Sequence, residues 1–324
     1  MSHQRLYDVI IVGAGAAGLS AAVLLGRSKR SVLVVSLTVR RNSTAAKVNN
    51  VPFAHGTPPA EVFAKMEADA ASYGVEFVWD EVVSASVSER GPVVETAGSG
   101  SFGGRRLLLA AGTVNELPSW IPEGEWGRSV FDCPYCHTYD NDGADFVSVG
   151  VGEEALKHAL LCRQYARTLT TLVSDPAALE SEFADTLVKT GSSVFADTID
   201  TAVRLPSGEL LLATAGGREI RAGTVVLDFV IRPNQRIPRA LGLELNHHGY
   251  PRATLFGQTS HPLVYSAGNS PGSPYFMWTG AACSGINAAR KISEDIAFNP
   301  SVQCLSGQTH PATAPESVAR GGQW

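Results

Sequence analysis

The chain has 324 residues, 44% of them hydrophobic and 18% charged, with a formal net charge of −5. That length allows two domains with a core each, and the composition excludes a disordered chain. The charge gives nucleic acid or an anionic membrane no electrostatic hold, no apolar run reaches the ~20 residues that span a bilayer, and no export signal is read at the N-terminus, so a cytoplasmic protein is expected.

In chain order, the first segment reads strand over 8–12, glycine turn, helix over 16–25, and strand over 31–35. The turn is Gly13-x-Gly15-x-x-Gly18, and its place after a strand and before a helix makes it a dinucleotide-binding signature. Its first glycine permits the tight turn, its second admits a pyrophosphate, and its third lets helix and strand pack closely. "RRLLLAAGT" (105–113) follows as a basic pair, an apolar strand and a small-residue turn. "FDCPYCHTYD" then sets Cys133 and Cys136 two residues apart, with His137 adjacent. C-x-x-C-H is the attachment motif of a c-type haem, and C-x-x-C alone is also the mark of a redox dithiol. Haem attachment goes with export, which nothing here directs. Zinc would need two more ligands at suitable spacing, and no second pair exists.

"DFVSVGVGEEALKHALLCRQYARTLTTLVSD" repeats strand, Gly150-x-Gly152-x-x-Ala155, helix and strand. Glu153 and Glu154 put negative charge at that helix N-terminus, where a pyrophosphate would be repelled. Two such units in one chain predict two nucleotide-binding folds. Near the end, "LVYSAGNSPGSPYFMWTGAACSGINAARKIS" places a strand before Ala267-Gly268-Asn269 and a helix from about Thr279. The segment 301–324 is rich in Pro, Ser, Gly and Thr and reads as a flexible tail.

These pieces in this order resemble the flavin-dependent pyridine-nucleotide disulfide oxidoreductases, in the low-molecular-weight thioredoxin reductase-like branch. The resemblance rests on Gly13, Gly15 and Gly18, "LLLAAGT", "CPYC" before a second glycine turn, and "YSAGN", and covers roughly residues 6 to 298. It implies an α/β fold of two Rossmann-like domains, the second inserted into the first. The expected boundaries are 1–116 with 244–300 for the FAD-binding domain and 117–243 for the NAD(P)-binding-like domain carrying the Cys pair. It also implies FAD held by Gly13, Gly15, Ala16, Ala17, Gly18, Ser36, Arg41, Asn42, Ala111, Gly112, Gly268, Asn269, Thr279 and Ala281, a homodimer, and a dithiol rather than a haem at Cys133 and Cys136.

Within the branch, His137 matches the Cys-x-x-Cys-His variant of natural-product dithiol oxidases of the holomycin and gliotoxin type. The resemblance therefore implies an oxidase that closes a disulfide in a small-molecule dithiol, with Cys133, Cys136 and His137 catalytic and oxygen as electron acceptor. The alternative is a thioredoxin reductase-like enzyme reducing a protein disulfide with NADH, ferredoxin or another donor. Members using NADPH carry a basic cluster after the second strand of the inserted domain; here Asp175, Glu180 and Glu182 stand there, where a 2′-phosphate needs guanidinium. Ser36 and Asn269 replace the usual acidic residues at the FAD site, and both can still hydrogen-bond.

Pro134 suits a first helical position, so the Cys pair is expected at a helix start, where the dipole favours thiolate. His137, with an ordinary pKa near 6.5, suits a cycling base. His158 is read as a packing or surface residue, Cys162 and Cys283 as small core residues, and Cys304 as an exposed tail thiol. The aromatic cluster 274–278 suits either a small-molecule pocket or interdomain packing. His247-His248 is read as part of a turn with no metal.

Overall fold

The computed structural model describes residues 5–228, 231–272 and 276–298. The apolar run of β1 (Leu6–Val12) is central, and Val9, Ile10 and Ile11 are fully buried because helices cover one of its faces while Val82, Ala85, Val94 and Ile237 pack on the other. β1 pairs in parallel with β2 (Val32–Ser36) and with β6 (Ser101–Leu109). β3 (Glu76–Trp79) extends the sheet beyond β2. The first half of β6 pairs antiparallel with β5 (Gly91–Thr96), which pairs with β4 (Val82–Ser88). Its second half pairs in parallel with β17 (Val264–Ser266).

α1 (Ala16–Arg27) and α6 (Trp278–Phe298) cross on one face of this sheet, where Leu19, Ala22 and Leu25 share a core with Ala288, Ala289 and Ile292. They cross closely because Gly285 has no side chain: a Cβ there would lie 2.1 Å from Ala17 O. α2 (Pro59–Ser72) adds Phe63 and Ala70 to the same core, while α5 (Arg236–Ala240) sets Ile237 against the opposite face.

The chain leaves this layer through β7 (Thr113–Asn115) and returns through β16 (Ile231–Pro233), and the two strands pair antiparallel. Between them lies a second sheet, in which β8 (Val130–Phe131), β9 (Asp145–Gly150), β10 (Thr168–Val173), β11 (Ser193–Ala196) and β15 (Thr224–Leu227) run parallel in the order β11-β10-β9-β15-β8. α3 (Glu153–Arg163) and α4 (Glu182–Lys189) cover one face through Leu156, Ala159 and Leu187. The antiparallel strands β12 (Ile199–Arg204), β13 (Leu210–Thr214) and β14 (Glu219–Ala222) cover the other. This is the α/β architecture expected, with the second Rossmann-like unit set inside the first. No helix among the described residues is long and apolar enough to cross a membrane.

Candidate active site

The first glycine turn joins β1 to α1. Gly18 is obligatory by contact, since a Cβ there would sit 1.9 Å from Gly13 O. Gly15 is different: a Cβ there would meet nothing within 4 Å, so its backbone faces open space at the N-terminus of α1. That helix has neither an acidic residue in its first turn nor a side-chain cap, which leaves its dipole and first N–H groups to an anion. Ala110 and Ala111 close in beside Gly13, and Gly112 N donates to Ser270 Oγ at 2.8 Å. Gly268 packs between Ala17 and Ala281, and its N–H donates to Ser284 Oγ at 3.1 Å. Thr279 lies on the exposed first turn of α6.

Asn269 Oδ1 is buried without a hydrogen-bond partner. A buried acceptor of this kind needs a donor, and the hydroxyls of a dinucleotide supply one. An open cradle at a helix N-terminus and an orphan acceptor beside it fit FAD. Ser36 reaches the same turn, accepting from Ala14 N at 3.0 Å and donating to Leu37 O at 2.9 Å.

The two arginines after β2 divide their roles differently from expectation. Arg40 lies at the glycine turn, donating Nε to Ala14 O at 2.9 Å and pairing with Glu67. Arg41 turns away from it, donating Nε to Asn115 Oδ1 at 2.8 Å and pairing with Asp132, the residue before Cys133. Asn42 accepts Ala45 N through its main-chain carbonyl.

Cys133 and Cys136 form a disulfide with Cα atoms 5.4 Å apart. The expected helix does not form around them. The turn closes by Cys136 N donating to Cys133 O, followed by a short 3₁₀ segment at Tyr139–Asn141. Side chains take the carbonyls that a helix would use: Thr138 Oγ1 donates to Pro134 O and Asn141 Nδ2 to His137 O. No α-helix begins at this turn.

A loop from the first unit holds the turn in place. Asn49 Nδ2 donates to Cys136 O and to Asp140 Oδ2, each at 2.7 Å. Asn50, in the left-handed region at φ 58°, donates to Tyr135 O at 2.9 Å, and Lys47 pairs with Asp140 at 2.8 Å. The redox pair is thereby fixed against the unit that carries the first glycine turn.

His137 is half-buried and stacked on Phe131, with ring centroids 4.3 Å apart. Burial pushes its pKa below the ordinary value, outweighing the opposing pull of Asp132 and Asp140. The imidazole is therefore neutral near pH 7 and free to accept a proton. His158, on α3, is half-buried behind the turn and lies 3.2 Å from Asp132 O through Nε2. Burial lowers its pKa and raises that of nearby Asp228, while their mutual attraction opposes both shifts. It packs, as expected, but against the residue next to Cys133.

The second glycine turn carries acid throughout. Glu153 and Glu154 stand in the first turn of α3, each paired to Lys157. Asp228 packs beside Gly150, and Asp175 caps the segment after β10 by accepting Ala177 N at 3.0 Å. Asp175, Glu180 and Glu182, which follow β10, are all exposed.

Cys162 is fully buried, and burial pushes its thiol up to about 12. Cys283 contradicts its core reading. It lies on the exposed face of α6, because Gly285, Ala288, Ala289 and Ile292 take the buried stripe. His247 and His248 are in a loop with rings 3.8 Å apart, and among the described residues no His, Cys, Asp and Glu cluster could hold a metal. Of the aromatic cluster, Trp278 packs on Phe63 with centroids 4.6 Å apart; Pro274 and Tyr275, the tail and Cys304 lie outside the described residues. Sequence reading missed Arg40, Lys47, Asn49 and Asn50, whose partners lie across the fold.

Two dinucleotide folds, one with an open glycine cradle and the other carrying a disulfide whose turn is held by a loop of the first, define a disulfide oxidoreductase architecture of the flavin-dependent kind. The chain belongs to the pyridine nucleotide-disulphide oxidoreductase family, which it matches over residues 7–282. It is 32% identical over 175 residues to the bifunctional thioredoxin reductase/thioredoxin of Mycobacterium leprae, covering 52% of this chain and 38% of that one. It is 27% identical over 311 residues to the thioredoxin reductase of Streptomyces coelicolor, covering 89% and 93%. The structure of HlmI matches with a TM-score of 0.81 and 28% identity, over 92% of this chain and 95% of that one. The chain spans about half the length of several curated relatives it matches, between 54% and 56% in four bacterial and fungal proteins. FAD is the cofactor of this family, and the residues at the first turn fit it.

Proposed function

We propose that the protein is an FAD-dependent dithiol oxidase that closes an intramolecular disulfide in a small molecule, through Cys133, Cys136 and His137. The observation that carries the reading is charge at the second turn. Glu153, Glu154, Asp175 and Asp228 surround the place where a nicotinamide dinucleotide would set its phosphates, so electrons are better supplied by a dithiol than by NADPH.

In the proposed reaction a substrate thiol gives its proton to neutral His137, and the thiolate attacks Cys133 Sγ. The Cys133–Cys136 bond breaks, Cys136 leaves as thiolate, and a mixed disulfide forms. The second substrate thiol then attacks the substrate sulfur, releasing the cyclic disulfide and the Cys133 thiolate. Two electrons have passed from substrate to the Cys pair; the first thiol's proton rests on His137, and the second thiol's proton passes to the Cys136 thiolate. FAD, when bound, supplies the two-electron relay from that pair to an external acceptor, proposed to be dioxygen, which becomes hydrogen peroxide. Asn49 and Asn50 hold the turn in register for this exchange, and a homodimer is part of the same reading.

The alternative is a reductase fed by NADH, ferredoxin or another donor and acting on a protein disulfide. Asp175 supports it, because a carboxylate after the second strand of the unit can accept from a free ribose 2′-hydroxyl. Peroxide assay in air separates the two. With dithiothreitol as model substrate, the oxidase makes one peroxide per disulfide closed, and Cys133→Ser abolishes it. No peroxide from the wild-type protein under these conditions counts against the oxidase.

A further inference from the structure

The adenosine end of the cofactor site lacks its usual grip. A carboxylate at the end of β2 would offer two acceptor oxygens to the two ribose hydroxyls. Ser36 has one hydroxyl, whose proton goes to Leu37 O at 2.9 Å and which also accepts from Ala14 N at 3.0 Å. At most one lone pair is left for the sugar.

What stands beside Ser36 is flat and apolar. Trp79 ends β3 in register with Ser36 and keeps 43% of its surface exposed. Phe77, two residues earlier on the same side of the strand, stacks beneath it at 5.5 Å with the ring planes 12° apart. Arg40 fixes this pair relative to the glycine turn. Its Nε is 2.9 Å from Ala14 O, and its guanidinium carbon is 5.5 Å from the Trp79 centroid and 4.4 Å from that of Phe63. Glu67 neutralises the charge and holds the plane in place. An indole that keeps 43% of its surface exposed between Phe77 and Arg40, and is tied by that arginine to the dinucleotide turn, is a surface for a planar base.

We propose that Trp79, positioned by Arg40, is the purine platform of the FAD site, so that the adenosine half is held by its base rather than by its sugar. The inference concerns cofactor recognition and stands whether the chain works as oxidase or reductase. It predicts that Trp79 separates FAD from FMN, which lacks the purine.

The test is equilibrium binding to the flavin-stripped full chain, followed by flavin fluorescence for FAD and FMN and by calorimetry for ADP. Trp79→Ala should weaken both FAD and ADP by about 5- to 150-fold, the range that base–aromatic stacking spans. Trp79→Phe should keep affinity within about threefold, since a smaller π-face remains. FMN binding should be unchanged by either substitution. Unchanged ADP affinity in Trp79→Ala would overturn the proposal, as would an equal loss of FMN, which would show damage to the whole site. Failure of Trp79→Phe to rescue a folded protein would overturn it too.

Discussion

Asn49→Ala removes the amide that ties the redox turn to the first unit. Asn49 donates to Cys136 O and to Asp140 Oδ2, both at 2.7 Å. A neutral hydrogen bond contributes ~1 kcal/mol net and one to a charged acceptor ~1.5–3 kcal/mol. Asp140 is exposed, so the lower end applies and the two bonds together contribute about 2.5 kcal/mol. That is a factor of roughly 70 in the ratio of docked to undocked turn. Lys47, Asn50 and Arg41 keep their own contacts across the same boundary, so the turn loosens without leaving. Amide hydrogen exchange on the oxidised holoprotein reads this directly. Protection over residues 136–141 should fall by about that factor while α1 and α6 keep theirs. Wild-type protection in the variant would refute the idea that this loop positions the Cys pair.

His137→Asn should slow thiol exchange by about 10²–10⁴-fold, the usual contribution of a positioned base, with flavin content unchanged; stopped-flow mixing with a dithiol checks it. Because burial lowers the His137 pKa, the wild-type rate should decline with acid only below the ordinary histidine value of about 6.5. The glycines should separate by role. Gly15→Ala leaves the melting temperature of the flavin-stripped protein unchanged but weakens FAD binding, whereas Gly18→Ala drives a Cβ against Gly13 O and costs about 3 kcal/mol or more of stability. His137 and His158 both have folded pKa values below the unfolded one, so the unfolded state binds more protons. Stability they contribute is present above about pH 6.5 and is lost as pH falls below that value through their lowered folded pKa values. Asp228, whose pKa is raised, acts in the opposite sense. Melting temperatures across pH 8 to 5 should therefore fall with acid, and His137→Asn should flatten the slope.

The features legible in the sequence were those written locally. The glycine turn at Gly13–Gly18 needs only neighbours in sequence, and its contacts at Gly13 and Gly18 are where the spacing puts them. The same holds for the repeated unit at Gly150–Ala155 and for the acid around it. The turn at Cys133 was misread because Pro134 argues for a helix, while Thr138 and Asn141 divert the carbonyls that would have made one. Cys283 sits among Ala, Gly and Ser, where apolar periodicity is too weak to say which face is buried. Arg40 and Arg41 are adjacent and chemically identical, and only the fold sends one to Ala14 and the other to Asp132. Asn49 and Asn50 carry no local signal, because their partners lie more than 80 positions away.

The central claim is that electrons enter from a dithiol and not from a nicotinamide. Anaerobic titration of the purified holoprotein, followed at the visible flavin band, tests it most directly. NADPH and NADH are added separately, then dithiothreitol, and air is readmitted last. The account requires bleaching by the dithiol alone and recovery of colour in air. Prompt bleaching by either nicotinamide would contradict it, and would mean that Glu153 and Glu154 do not keep a dinucleotide from the second turn.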